Sequence, residues 1–132
     1  MKYVKYAFGI FIVTMIMSLS GVSALVVEIV NIQIPIMQMS WVSKEYNKQT
    51  TGNQSVMKTQ SYDNITHDPR AIKARTYAVY GGGNYSNWVT VPQNKWAVIT
   101  GSNKQIEPYK LNLRSDKQLL TTATFYGNWN IN

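Results

Sequence analysis

The sequence predicts an all-β fold, a small antiparallel β-sandwich or barrel, preceded by the helix of an N-terminal signal peptide. Two observations carry this prediction. Apolar and polar residues alternate through several short segments after Ala24, as they do in strands with one buried face. Turn-forming residues separate these segments, and nowhere after Ala24 do apolar residues recur with helical spacing.

The first 24 residues have the composition of a secretory signal. Lys2 and Lys5 precede an uncharged run of 13 residues, Ala7–Leu19, and the small residue Ala24 follows. Since this run is shorter than the ~20 residues of a membrane-spanning helix, we expect cleavage after Ala24 and secretion of residues 25–132 as a single all-β domain. The alternative is retention by an uncleaved N-terminal membrane anchor.

The predicted mature chain is basic and contains no cysteine. Removing Lys2 and Lys5 from the 13 basic residues leaves 11 against six acidic residues, a formal charge of +5. Such a chain is attracted to anionic cell-envelope polymers, glycans or membrane surfaces, and we do not expect nucleic acid as a partner. The lack of cysteine excludes disulfides, thiol catalysis and thiolate metal sites.

The first strand predicted in the mature chain is strongly apolar. Val30, Ile32, Ile34 and Ile36 alternate with Asn, Gln and Pro residues, and the alternation shifts by one at Met37. Because a shift of one residue turns side chains to the opposite face of a sheet, the pattern predicts a bulge or bend near Ile36–Met37.

The next segment, residues 44–70, is polar and rich in Thr, Gln and Asn. A turn at residues 51–53 predicts a hairpin or a pair of weak strands, followed by a loop near Asp63–Arg70. Few large apolar residues occur here, so the pattern indicates weaker strands than in the rest of the chain.

Alternation returns in the second half of the chain. It predicts strands over residues 71–80, 87–91, 95–101, 109–114 and 119–131. One face of the last strand carries Leu119, Thr121, Ala123, Phe125, Gly127, Trp129 and Ile131. We expect a hairpin loop at residues 115–117 before this strand, and we expect Trp96 and Trp129 in the core.

Three consecutive glycines, Gly81–Gly83, lie between two of these strands. A dinucleotide-binding fingerprint would need a glycine in place of Ser86 and a following helix, neither of which is present. The stretch therefore predicts a hairpin turn, since glycine tolerates positive φ angles. Tyr80, Tyr85 and Trp88 flank it and are the candidate ligand-binding residues, because aromatic faces stack on sugars and settle at membrane interfaces.

The sequence predicts no catalytic, cofactor-binding or metal-binding residues, and we do not expect an enzyme. His67, the only histidine, is interpreted as a loop residue, because no nucleophile motif accompanies it and a zinc site usually needs several such ligands. Asp63 and Asp68 share a loop, but their spacing does not match a calcium-binding EF-hand.

The stretches "KARTYAVYGGGNYSNW", "NKWAVITGSN" and "TATFYGNWNIN" are rich in Tyr, Trp, Gly and Asn. In this they resemble small cysteine-free secreted proteins of Gram-positive bacteria, the lactococcin-like β-sandwich bacteriocins. The resemblance implies an antagonist of other bacteria that acts at the cell envelope. It assigns no role to any individual residue.

These features favour a secreted basic protein that acts at bacterial cell surfaces by non-catalytic binding, in the manner of a bacteriocin. One alternative is a non-catalytic carbohydrate- or wall-binding module, in which Tyr85 and Trp88 stack on sugar rings. Another is a structural surface or matrix protein that self-associates through the edges of its strands.

Overall fold

The computed structural model describes residues 10–17, 23–80, 84–101 and 104–132. Within these ranges the chain forms strands and turns and no helix. The strands are β1 (Ile10–Met17), β2 (Ser23–Ile34), β3 (Trp41–Val42), β4 (Tyr46–Asn47), β5 (Ser55–Asp63), β6 (Ile72–Ala78), β7 (Asn84–Tyr85), β8 (Val89–Thr90), β9 (Ala97–Val98), β10 (Pro108–Ser115) and β11 (Ala123–Asn130).

The strands are arranged in two antiparallel sheets. The first sheet has the order β1-β2-β11-β5-β9. The second has the order β3-β10-β6-β7, and in it β4 also pairs with β10 and β8 with β6. Apolar residues from both sheets form a shared hydrophobic core. This arrangement confirms the predicted antiparallel, sandwich-like all-β fold.

Alternate residues of β10 and β11 supply the centre of the core, as the sequence predicts. Tyr109, Leu111 and Leu113 of β10 are buried, and so are Ala123, Phe125 and Trp129 of β11. The Trp129 indole donates a hydrogen bond to Gln54 Oε1 at 3.0 Å, which satisfies its buried N–H. Leu119 and Thr121, which the pattern placed in the same strand, lie before β11 begins.

A bulge in β2 was not predicted. Val27 and Ile29 are buried before the bulge, and Ile32 is buried after it. Two residues, Val30 and Asn31, therefore separate Ile29 from Ile32, where regular alternation would place one. Asn31, between them, has a φ of 51°, and the register with β11 shifts at this point. Asn is one of the few residue types that tolerate this conformation. Ile29, rather than Val30, therefore shares the buried face.

The bend predicted near Ile36–Met37 is confirmed. β2 ends at Ile34, and Met37 and Gln38 both have positive φ angles, 57° and 58°. The Met37 amide donates to the carbonyl of Leu119 at 2.8 Å, which ties the bend to the segment before β11.

The hairpin predicted at residues 115–117 is wrong, and so is the hairpin that was one of two alternatives, beside a pair of weak strands, around residues 51–53. β4 and β5 flank the turn at Thr51–Gly52, but β4 pairs with β10 and β5 pairs with β11, so they belong to opposite sheets. The loop at residues 115–117 likewise connects β10 in the second sheet to β11 in the first. A short loop can cross from one sheet to the other as easily as it closes a hairpin, because both sheets end at the same rim of the sandwich.

The predicted burial of Trp96 is also wrong. The segment predicted as a strand over residues 95–101 contributes only the two residues of β9, and Trp96 lies just before them with 45% of its surface exposed. Ile99, just beyond β9, fills the core instead.

Part of the predicted signal peptide is extended. Ile10–Met17 pairs with β2 in an antiparallel register that runs from Ile10 opposite Val30 to Met17 opposite Ser23. The expected helix is not seen in these residues, whose Ile, Val and Thr content favours a strand. Residues 1–9 and 18–22, the rest of the predicted helix, lie outside the described residues. Cleavage after Ala24 and secretion stay predictions.

Within the described residues, no helix has the length and apolar character that a membrane crossing requires.

Removal of residues 1–24 would uncover one edge of β2, because β1 is its partner on that side. An uncovered, apolar edge invites pairing with another strand. We therefore expect residues 25–132 to associate into dimers or larger species as concentration rises, measured by sedimentation velocity. Val26→Lys, which places a charge on this strand, is expected to reduce the association. A monomer at every concentration would contradict the expectation.

Candidate ligand-binding face

The outer surface of the second sheet carries a row of polar and basic side chains on each of its two central strands. In β6, Ile72, Ala74 and Ala78 point into the core, so the intervening residues point outward. The register places Tyr77 opposite Lys110, Arg75 opposite Asn112 and Lys73 opposite Arg114. We call this surface the β6–β10 face; its members are Lys73, Arg75, Tyr77, Lys110, Asn112 and Arg114.

Tyr85 and Trp88 are attached to the β6–β10 face through a buried serine. The Ser86 amide donates to the Thr76 carbonyl at 2.9 Å, and the Ser86 hydroxyl accepts a hydrogen bond from the Thr76 amide at 2.9 Å. Tyr85 lies directly opposite Tyr77 in the strand register. This double anchor fixes the chain between β7 and β8 against β6, and the two aromatic residues lie on either side of it.

Two arginines stack on these aromatic rings. Arg75 Cζ lies 3.7 Å from the ring centroid of Tyr85 and 4.4 Å from that of Trp88. Arg114 Cζ lies 4.1 Å from the Trp88 ring. All three distances are within the range of cation–π attraction. Tyr77 adds a tilted contact with Tyr85 at 4.9 Å between centroids, so the rings and guanidinium groups form one connected layer.

The electrostatics of the β6–β10 face are strongly positive. Burial lowers the pKa of Arg75; the neighbouring Tyr85 opposes this shift, and the positive charge of Arg114 adds to it. Arginine stays protonated at neutral pH despite such a shift. Arg75 Nε also approaches Asn112 Oδ1 at 3.4 Å. Lys73 is paired with Asp116 at 3.4 Å near the end of the face.

The structure brings together two of the three predicted binding residues. Tyr85 is half exposed and Trp88 half buried, and both contact Arg75. Tyr80 is 78% exposed and lines a separate cleft of about 460 Å³ together with Lys48 and Glu107. Gly81–Gly83 lie outside the described residues, but Ala78 and Asn84 on either side pair antiparallel, as the predicted hairpin requires.

Sequence reasoning missed the two arginines as site residues. Arg75 and Arg114 are 39 positions apart in the chain and meet only because β6 pairs with β10. The alternation in "KARTY" and "YKLNLR" does place basic residues on the polar face of each strand. That signal indicates two basic stripes, but it does not indicate that the stripes are adjacent.

His67 lies in the turn after β5, the loop position that the sequence indicated. It is exposed, has a φ of 63°, and packs against Tyr62 with ring centroids 5.8 Å apart at a cleft of about 370 Å³. The nearby Asp63 carboxylate is bound by Arg70 and Thr121 instead of His67. In the part of the chain that the structure describes, no three His, Cys, Asp or Glu side chains gather as a metal site.

Comparison with known protein families and with curated proteins found no match. Among solved structures, the chain is similar to the CBM22-1 xylan-binding domain from Paenibacillus barcinonensis Xyn10C, with a TM-score of 0.38 and 16% identity over 93% of this chain and 82% of that one. It is also similar to the N-terminal CBM22-1-CBM22-2 tandem domain of the same protein, with a TM-score of 0.39 and 13% identity. The match covers 92% of this chain but only 39% of the tandem.

Proposed function

We propose that the protein binds glycans, without altering them chemically, through the β6–β10 face and its stacked Tyr85 and Trp88. The observation that carries the proposal is the layer of two guanidinium groups and aromatic rings on a sheet surface turned away from the core. A glycan offers apolar ring faces and many hydroxyl groups, and this layer offers matching partners for both.

The chemistry of the layer suits a sugar for two reasons. Tyr and Trp present a flat apolar surface with a polar group at the edge, which matches the amphipathic surface of a sugar ring. Arginine supplies several N–H donors in a fixed plane for hydroxyl oxygens. Because Arg75 stacks on both rings and Ser86 anchors the backbone between them, little conformational freedom is lost on binding, and this favours affinity.

The geometry around the only histidine favours binding over catalysis. A general base needs a partner that orients it. Asp63, the carboxylate in the same turn, accepts hydrogen bonds from Arg70, Thr121 and the backbone of the turn. It is thus committed to the structure of the loop rather than to His67.

Trp88→Ala is expected to weaken glycan binding by roughly 10- to 30-fold, since a stacked aromatic anchor commonly contributes about 1.5–2 kcal/mol. The measurement is affinity electrophoresis and calorimetry over a panel of soluble plant, fungal and bacterial glycans. Trp96→Ala is the matched control, because Trp96 is an exposed tryptophan near β9 in the other sheet. Equal losses in the two variants, or no loss in Trp88→Ala, would contradict the proposed site.

The resemblance to bacteriocins adds a second expectation, inhibition of related bacteria, which stays a prediction. Glycan binding at the envelope would be a first step toward such an activity. A growth-inhibition assay with the purified protein tests it directly, and the Trp88→Ala variant shows whether any inhibition depends on the β6–β10 face.

A further inference from the structure

The two arginines of the β6–β10 face bring like charges close together. Both guanidinium groups lie within 4.4 Å of the same indole ring, that of Trp88, although they come from different strands. The positive charge of Arg114 contributes to the lowered pKa of Arg75, so the two groups repel one another, and a half-buried position strengthens that repulsion. The aromatic rings offset part of this cost through cation–π attraction, but they do not neutralise the charge.

No carboxylate of the described chain balances this pair. Arg70 is held by Asp63, and Lys73 by Asp116. Neither Arg75 nor Arg114 has a carboxylate within ion-pair distance among the described residues. Arg114 Nε is buried, and no described residue accepts a hydrogen bond from it. A buried donor without a partner is costly, and such exceptions to local consistency are typical of functional sites.

We propose that Arg75 and Arg114 bind an oxyanion, a carboxylate or a phosphate, carried by an acidic glycan. This inference rests on the proposed function and narrows it to one class of ligand. Guanidinium groups match carboxylate and phosphate oxygens with two parallel hydrogen bonds, which lysine cannot do. Tyr85 and Trp88 hold the guanidinium planes in place, so the anion meets a formed site rather than two mobile chains.

The distribution of charge along the face favours a polymer over a single ion. Lys110 and Arg114 are basic positions on the outward side of β10, with the buried Asn112 between them, whereas Lys73, opposite Arg114, is paired with Asp116. Positive side chains therefore extend over about 13 Å along the strands, at roughly 3.3 Å per residue. A chain that carries an anion on several of its sugars can contact all of them.

Matched pairs of glycans that differ only in charge test this proposal with the full-length protein. One arm compares polygalacturonate with its methyl ester, in which the carboxylates are masked. The other compares phosphomannan with unphosphorylated mannan. We expect at least ~10-fold tighter binding to the acidic member of one pair, with the preference shrinking as salt rises. The arm that shows the preference identifies the oxyanion as carboxylate or phosphate.

Variants separate a binding role of the arginines from a structural one. Arg75→Lys and Arg114→Lys keep the positive charge but lose the planar fork, so each should reduce the acidic preference by ~5-fold or more. Lys95→Ala and Lys117→Ala, both at exposed lysines, are the controls and should retain the preference. Thermal unfolding of every variant shows whether a loss reflects the site or the fold.

The outcomes distinguish this proposal from the one on which it rests. Binding of acidic and neutral members with equal affinity, still lost in Trp88→Ala, would overturn the oxyanion site and leave glycan binding in place. An acidic preference that survives in both arginine variants would also overturn it, because net charge alone would then explain the preference. Failure to bind any glycan, neutral or acidic, would overturn both.

Discussion

Arg70→Leu is expected to lower the free energy of unfolding by about 3–5 kcal/mol, measured by urea denaturation at neutral pH. The Arg70 side chain is only 4% exposed and donates to Ser115 Oγ at 2.8 Å, Thr121 Oγ1 at 2.8 Å and the Thr121 carbonyl at 3.2 Å. It also pairs with Asp63. Leucine keeps the apolar volume but removes every donor, so buried acceptors lose their partners.

This network connects the two sheets, which is why its loss should affect the whole domain. Asp63 is the last residue of β5 in the first sheet, and Ser115 is the last residue of β10 in the second. Thr121 lies in the crossover between them. Arg70 is the side chain that reaches all three.

The surface pair of Lys73 with Asp116 provides the control. Both side chains are about one-third exposed, and their separation is 3.4 Å. Lys73→Met should therefore cost less than about 1 kcal/mol. If Arg70→Leu were no more destabilising than Lys73→Met, the buried network would not hold the sheets together as inferred.

Acid pH should weaken the same network. Hydrogen bonds from Thr121 and from the amides of Thr66 and Ile65, together with Arg70, hold the pKa of Asp63 below its usual range. A carboxylate with a lowered folded-state pKa stabilises the protein above its ordinary pKa of about 4, and this contribution is lost as pH falls toward the folded value.

The strands that alternate cleanly could be predicted from sequence, because a strand with one buried face has an apolar residue at every second position. Tyr109, Leu111 and Leu113 of β10 and Phe125 and Trp129 of β11 show this, and all are buried. The bulge at Asn31 could not be predicted, since apolar residues occupy both alternating sets of positions in "VVEIVNIQI" and either set could be the buried one. Its signal is the pair of apolar positions Ile29 and Ile32, three apart, around a residue that tolerates positive φ.

Pairing between strands could not be predicted, because a local pattern says which face is buried but not which neighbour lies alongside. The loops before β5 and β11 contain the residue types of hairpin turns, yet both connect opposite sheets. The same limit applies to the site. Tyr85 and Trp88 were recognisable as an aromatic cluster, whereas Arg75 and Arg114 become neighbours only through the register of β6 with β10.

Lys48 is expected to make the protein more stable as pH rises from about 8 to about 10.5. Its side chain is almost fully buried, and Nζ donates to the carbonyls of Gly52 and, at 3.2 Å, Ile131. Burial, together with the positive charge of Lys104, lowers the pKa of Lys48 from 10.5 to about 8. Between these values the folded protein has released the proton and the unfolded chain still binds it, so a higher pH favours folding.

Urea denaturation of the protein and of Lys48→Met at several pH values between 8 and 10.5 measures this effect. The methionine removes the buried charge but leaves the Gly52 and Ile131 carbonyls without a donor, so the two proteins should differ little below pH 8. Burial and the charge of Glu107 raise the pKa of Tyr109 to about 12, which opposes folding at the alkaline end in both proteins. The difference between the two curves of unfolding free energy against pH therefore isolates Lys48. Curves that stay parallel between pH 8 and 10.5 would contradict the lowered pKa of Lys48.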